Sequence, residues 1–154
     1  TFKNSMKKYT IYLIAGLMAT LALLLLSSTI LDSMFSGQTE FANEMYNNNL
    51  YFMTTLFSAV IAWGLAGIFY YVINSVSFSR WYHWLIVLGV GAVASSITAY
   101  NYCDGIFAND GVDYSDQLFG FSMTNLLVEV LLFVIASYSM RWWSTNCRHT
   151  PIPE

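Results

Sequence analysis

Between residues 9 and 31 the chain has no side chain charged at neutral pH, and three later stretches, 50–73, 81–100 and 118–140, add only Glu129. A helix rises about 1.5 Å per residue, so roughly 20 residues cross a hydrocarbon layer about 30 Å thick. All four stretches reach that length. Hydrocarbon leaves backbone groups no partner outside the segment itself, which admits only helices and closed barrels. Barrel strands alternate in polarity over about 10 residues, and neither 21–26 nor 126–135 does so. These features predict an all-α integral membrane protein. Its architecture is a four-transmembrane-helix bundle, one domain over 1–154, with loops 32–49 and 101–117 and a tail at 141–154.

Composition points the same way. Only 10% of the 154 residues are charged and 56% are hydrophobic, whereas a soluble domain has about a quarter charged. The chain cannot coat a water-soluble core. Its formal charge of −3 offers no basic surface for nucleic acid, and none is expected as a partner. Lys7 and Lys8 ahead of an apolar run resemble the start of a secretory signal peptide. The run is longer than the usual core of about 7–15 residues, and 27–32 lacks a small-x-small cleavage site, so the span is expected to be retained.

The placement of the charges says more than their sum. Lys3, Lys7 and Lys8 precede the first span, Arg80 joins the second to the third, and Arg141 and Arg148 follow the fourth. Asp32, Glu40, Glu44, Asp104, Asp110, Asp113 and Asp116 all fall in the other two connections. Basic loops stay on the cytoplasmic side, so both termini are expected there, in a bacterial inner membrane. Tyr9, Trp81, Trp84, Trp142 and Trp143 suit the inner interface, and Tyr51, Tyr100, Tyr102 and Phe119 the outer one.

Chemistry-bearing patterns are sparse. Cys103 and Cys147 fall at opposite faces and cannot reach disulfide distance within one chain, which excludes thiol oxidoreductases built on paired cysteines. His83, Cys147 and His149 lack a metal-ligand spacing. Residues 109–116 lack the spacing and the closing Glu of a calcium-binding loop. Nucleophile and phosphate-binding signatures are missing too. A non-enzymatic protein without cofactor or metal is expected, the alternative being a membrane enzyme that acts on lipid at the aromatic inner boundary.

Small residues at four-residue spacing mark where helices approach closely in lipid. The third span has two such rows, Gly91, Ser95 and Ala99 beside Ala92 and Ser96, which predicts that it forms the bundle centre and that its opposite side is available to an oligomer. The first span pairs Gly16 with Thr20, and the second aligns Ser58, Ala62 and Ala66.

Glu129 lies mid-membrane, where an acid costs about 2.5–3.5 kcal/mol on insertion scales. Asn125 lies one turn before it and Ser122 nearly two, a polar stripe running from the outer boundary. Two roles fit Glu129. It is either a structural clamp that donates to a carbonyl or to Ser95, Ser96 or Thr98, or a site on a cation or proton pathway fed by the outer acids.

The outer segment 32–49 holds Phe35, Phe41, Met45 and Tyr46, which suits the membrane surface or a partner. After Trp143, the run Arg148, His149, Pro151, Ile152 and Pro153 predicts an extended strap suited to docking a cytoplasmic protein. The first functional expectation is therefore a subunit that anchors or scaffolds partners: lipids, copies of itself, other membrane proteins, and a soluble protein at the tail. The second is a cation- or proton-conducting pore using Glu129.

Overall fold

The computed structural model describes residues 2–35, 37, 39–109, 111 and 114–150. Among them are five α-helices: α1 (Phe2–Met34), α2 (Thr39–Asn47), α3 (Leu50–Gly67), α4 (Trp81–Asn109) and α5 (Ser115–Met140). A wide π-helical turn at Ile68–Ile73 prolongs α3. Four of these segments are long and apolar enough to cross a membrane: Lys3–Met34, Leu50–Ile73, Trp81–Asn109 and Ser115–Trp143.

Several helices outrun the apolar stretches that predict them. The three N-terminal lysines lie within α1, exposed. α4 continues through part of the expected outer loop because Cys103 and Phe107 pack in the interior, at 0% and 1% exposure. Helical spacing from Ala99 through Cys103 to Phe107 keeps all three on one face.

Two apolar clusters fix the topology. One gathers Leu31, Phe41, Met45, Leu50, Tyr51, Ala99, Cys103, Phe107, Leu118 and Phe121. It joins the end of α1, all of α2, the start of α3, the end of α4 and the start of α5. The other holds Ala62, Ala66, Phe69, Tyr70, Trp84, Leu132, Phe133, Ala136 and Cys147. The long helices therefore alternate in direction, with Asp32, Glu40, Glu44, Asp104 and Asp116 at one end of the bundle, the acidic end, and the Lys and Arg residues at the other, the basic end. At the basic end Tyr9 stacks on Trp142 at 5.4 Å, closing α1 against α5.

The short helix α2 accounts for part of the apolar outer segment. Phe41 and Met45 are buried in the chain's own core, and Phe35 packs edge-on against Phe41 and Phe121. Tyr46 alone of that set stays exposed.

The centre of the bundle is α5 rather than the expected α4. α5 lies against α1, α3 and α4, whereas α4 packs chiefly on α3 and α5. The large buried side chains Phe121, Leu132 and Phe133 all belong to α5, and the small residues of α4 make the room they need. α1 reaches α5 through Gly16, where a Cβ would stand 1.6 Å from Ser139 Oγ. Any side chain at position 16 must displace Ser139.

Candidate functional site

A layer of polar side chains separates the two apolar clusters. In each of α3, α4 and α5 the polar residues occupy the turns between the apolar ones: Thr54, Thr55 and Ser58; Ser95 and Ser96; Ser122, Asn125 and Glu129, all buried. Polar groups shut away from water must bond to protein or lose about 1–3 kcal/mol each. Thr54 and Thr55 solve this locally, donating to carbonyls of their own helix at 2.9 Å.

Asn125 solves it across helices. Its Nδ2 donates to Ser95 Oγ on α4 at 2.7 Å and to Ser58 Oγ on α3 at 3.0 Å. The two hydroxyls are 2.7 Å apart, and Ser58 Oγ also lies 3.0 Å from the Thr54 carbonyl. A consistent proton order runs from Asn125 to both hydroxyls, from Ser95 to Ser58, and from Ser58 to Thr54. One amide thereby ties three helices together. Ser96 adds a bond to the Ser122 carbonyl at 3.1 Å.

Glu129 stands apart from this network. It is 0% exposed, and neither carboxyl oxygen has a hydrogen-bond partner among the described residues. The partners foreseen for a clamp are committed elsewhere: Ser95 to Asn125 and Ser58, Ser96 to the Ser122 carbonyl, Thr98 to the Ala94 carbonyl. The carboxyl lies instead in a gap left by Gly91, where a Cβ would come within 3.0 Å of Glu129 Oε1 and 2.9 Å of Leu65 Cδ1. Ser122 Oγ and Tyr51 Oη are also buried without a partner among the described residues. These orphan groups extend from the acidic end to mid-bundle, on either side of the Asn125 network.

The other predicted positions fall as follows. Gly91, Ala92, Ser95, Ser96 and Ala99 all sit on the buried face of α4. Of the acids, Glu40, Asp104 and Asp116 are exposed and Glu44 is half-buried, within 3.3 Å of Asn48 Nδ2. Burial, and then the carboxylates of Glu40 and Glu44, raise the Tyr114 phenol above its ordinary range. Asp110 and Asp113 lie outside the described residues, as do Pro151, Ile152 and Pro153.

The tail as far as Thr150 is held by its own chain. Asn74, in the left-handed conformation at φ 35°, stops the wide turn after α3 and gathers the segment that follows α5. Its Oδ1 accepts from Ser144 Oγ and from the Asn146 backbone N–H, each at 2.9 Å, and its Nδ2 donates to Thr145 Oγ1. Tyr70 donates to the Thr150 carbonyl at 2.7 Å. Arg148 donates to the Tyr9 hydroxyl and lies over that ring, while His149 is exposed. Burial pushes the Cys147 thiol up.

Sequence reasoning named Ser58 only as a packing residue. Its role beside Asn125 follows from depth, since the two stand about equally far into their spans from the same end. Gly91 belongs to the small-residue seam of α4, and the niche it makes for a carboxyl has no local signature. Among the described residues, no group of three or more His, Cys, Asp or Glu side chains is placed to hold a metal. No protein-family model, curated protein or solved structure matches the chain.

The network and the orphan carboxyl differ in the sign of their mutational effect. Asn125→Ala should lower stability by about 1–3 kcal/mol, since each interhelical bond in a membrane bundle is worth about 0.6–2. Glu129→Met, of similar volume, should leave stability unchanged or raise it, because it removes an unmade bond. Unfolding midpoints in mixed micelles measure both. A loss in Glu129→Met equal to that in Asn125→Ala would mean that Glu129 is bonded after all.

Proposed function

We propose that the chain is a non-enzymatic multi-pass subunit of a membrane assembly, set in a bacterial plasma membrane with both termini cytoplasmic. The observation that carries this reading is a groove of about 490 Å³ on the outward side of α4, lined by Gly89, Val90, Val93, Ala94 and Ile97. It lies opposite the buried seam of the same helix. Among the described residues, nothing stands within 4 Å of where a Gly89 Cβ would be. Small residues on an outward face let a second helix approach closely, which is how helices associate in lipid. Partner contacts at the tail would fall to exposed His149 and to residues beyond Thr150, since 144–148 and Thr150 are engaged by the chain itself.

Gly89→Leu together with Ala94→Leu should shift the complex purified in mild detergent to the mass of a single chain, without loss of helicity. A wild-type protein that already runs as a single chain and brings no other protein with it would overturn the proposal.

The orientation rests on the separation of charge between the two ends. A membrane-impermeant maleimide should label Asp116→Cys in intact cells and Lys8→Cys only after permeabilisation. The reverse pattern would invert the topology. Cys103 and Cys147, both buried, should add little background.

A second reading is favoured by one observation, the buried carboxyl of Glu129 whose oxygens the fold leaves unbonded. In that reading Glu129 takes up a proton or cation delivered from the acidic end past Tyr51 and Ser122 and passes it on toward the basic end. Reconstituted vesicles should then pass protons under an imposed gradient, and Glu129→Gln should remove most of that flux at equal folded yield. Equal flux in the two proteins would exclude a carboxylate pathway.

A further inference from the structure

Between the wide turn that ends α3 and the first turns of α4 lies a cavity of about 340 Å³, lined by Phe69, Ile73, Phe78, His83, Ile86 and Val87. It opens sideways from the bundle, since Ile73, Phe78 and Ile86 are 40%, 54% and 61% exposed. Five of the six lining side chains are hydrocarbon or aromatic. The sixth, His83, is packed against Phe78 at 5.3 Å and Tyr82 at 4.4 Å. Its Nδ1 is shut away from the surface with no hydrogen-bond partner among the described residues.

A basic residue stands one helical turn before His83. Arg80 is exposed and caps α4, its carbonyl accepting from the backbone N–H groups of His83 and Trp84. At about 1.5 Å per residue, His83 lies about 4.5 Å further along the helix than Arg80, and Ile86 about as far again. Cation, aromatic ring and hydrocarbon wall thus follow one another along α4. Phosphate, glycerol ester and acyl chain follow one another in the same order in a phospholipid. Trp81 and Tyr82, 60% and 39% exposed, sit beside Arg80 where aromatic rings favour the headgroup level.

We propose that this cavity seats one acyl chain of an anionic phospholipid, with the lipid phosphate at Arg80. The charge of Arg80 selects an anionic headgroup over a zwitterionic one, and the cavity selects a lipid over free phosphate. Occupancy fills the gap between α3 and α4 at the basic end.

The test uses the full chain in nonionic detergent, equilibrated with equal amounts of phosphatidylglycerol and phosphatidylcholine and read by native mass spectrometry. Wild-type protein should retain phosphatidylglycerol about fivefold over phosphatidylcholine, as expected for one favourable basic contact. Arg80→Gln should bring that ratio near one, and Ile86→Trp, which narrows the mouth, should lower retention of both lipids. A wild-type ratio of one, or undiminished retention by Ile86→Trp, would overturn the proposal. Both positions are on the surface, and helicity is measured alongside. If Ile86→Trp loses helicity, Arg80→Gln decides alone.

Discussion

A side-chain amide in the middle of a membrane-length bundle has only protein to bond to, and the arrangement of this bundle follows from where Asn125 finds its partners. One Asn125 nitrogen meets Ser95 on α4 and Ser58 on α3. That fixes the rotation and the depth of three helices at once, because a shift of any of them by a residue would strand a buried donor. Apolar packing is less exacting in lipid, where hydrocarbon outside the bundle competes evenly with hydrocarbon inside it. The polar layer sets the register, and the apolar clusters above and below it fill in around that register.

The same layer explains why α5 is central. A helix carrying a polar group at mid-depth must turn that group away from lipid, and the neighbours that satisfy it must come close. α4 permits this with Gly91, Ala92, Ser95, Ser96 and Ala99 on one buried face, and α3 with Ser58, Ala62 and Ala66. At the basic end the constraint is met by backbone instead. The wide turn at Ile68–Ile73 buries the adjacent rings of Phe69 and Tyr70 together, and Asn74 then binds the returning tail. Asparagine tolerates the left-handed backbone that this reversal requires.

Four long helices were legible in the sequence because length and lack of charge are one-dimensional properties. The separation of acidic from basic residues between the two ends was legible for the same reason. The centre of the bundle was not. Small residues on α4 mark a place where something comes close, but they do not say which helix benefits, and that helix proved to be α5. Likewise Phe41 and Met45 look like stranded apolar residues in a polar loop until α2 folds them over the end of the core. The identity of Asn125 and Glu129 as the polar pair at mid-depth was evident from spacing, whereas the division of labour between them depends on which hydroxyls lie within 3 Å. That is a property of the assembled helices alone.

This division bears on what Glu129 is for. A buried carboxyl that held the bundle would share its oxygens with Ser95 or Ser96, yet those hydroxyls are committed to Asn125, Ser58 and the Ser122 carbonyl. Gly91 meanwhile leaves a gap against the carboxyl that alanine would close. The fold thus makes room for Glu129 without drawing on it. A group whose oxygens are not engaged in holding the helices can gain or lose a proton without breaking an interhelical bond. Asn125 lacks that freedom, because its bonds set the register. The bonded amide and the unbonded carboxyl therefore sit one helical turn apart on α5.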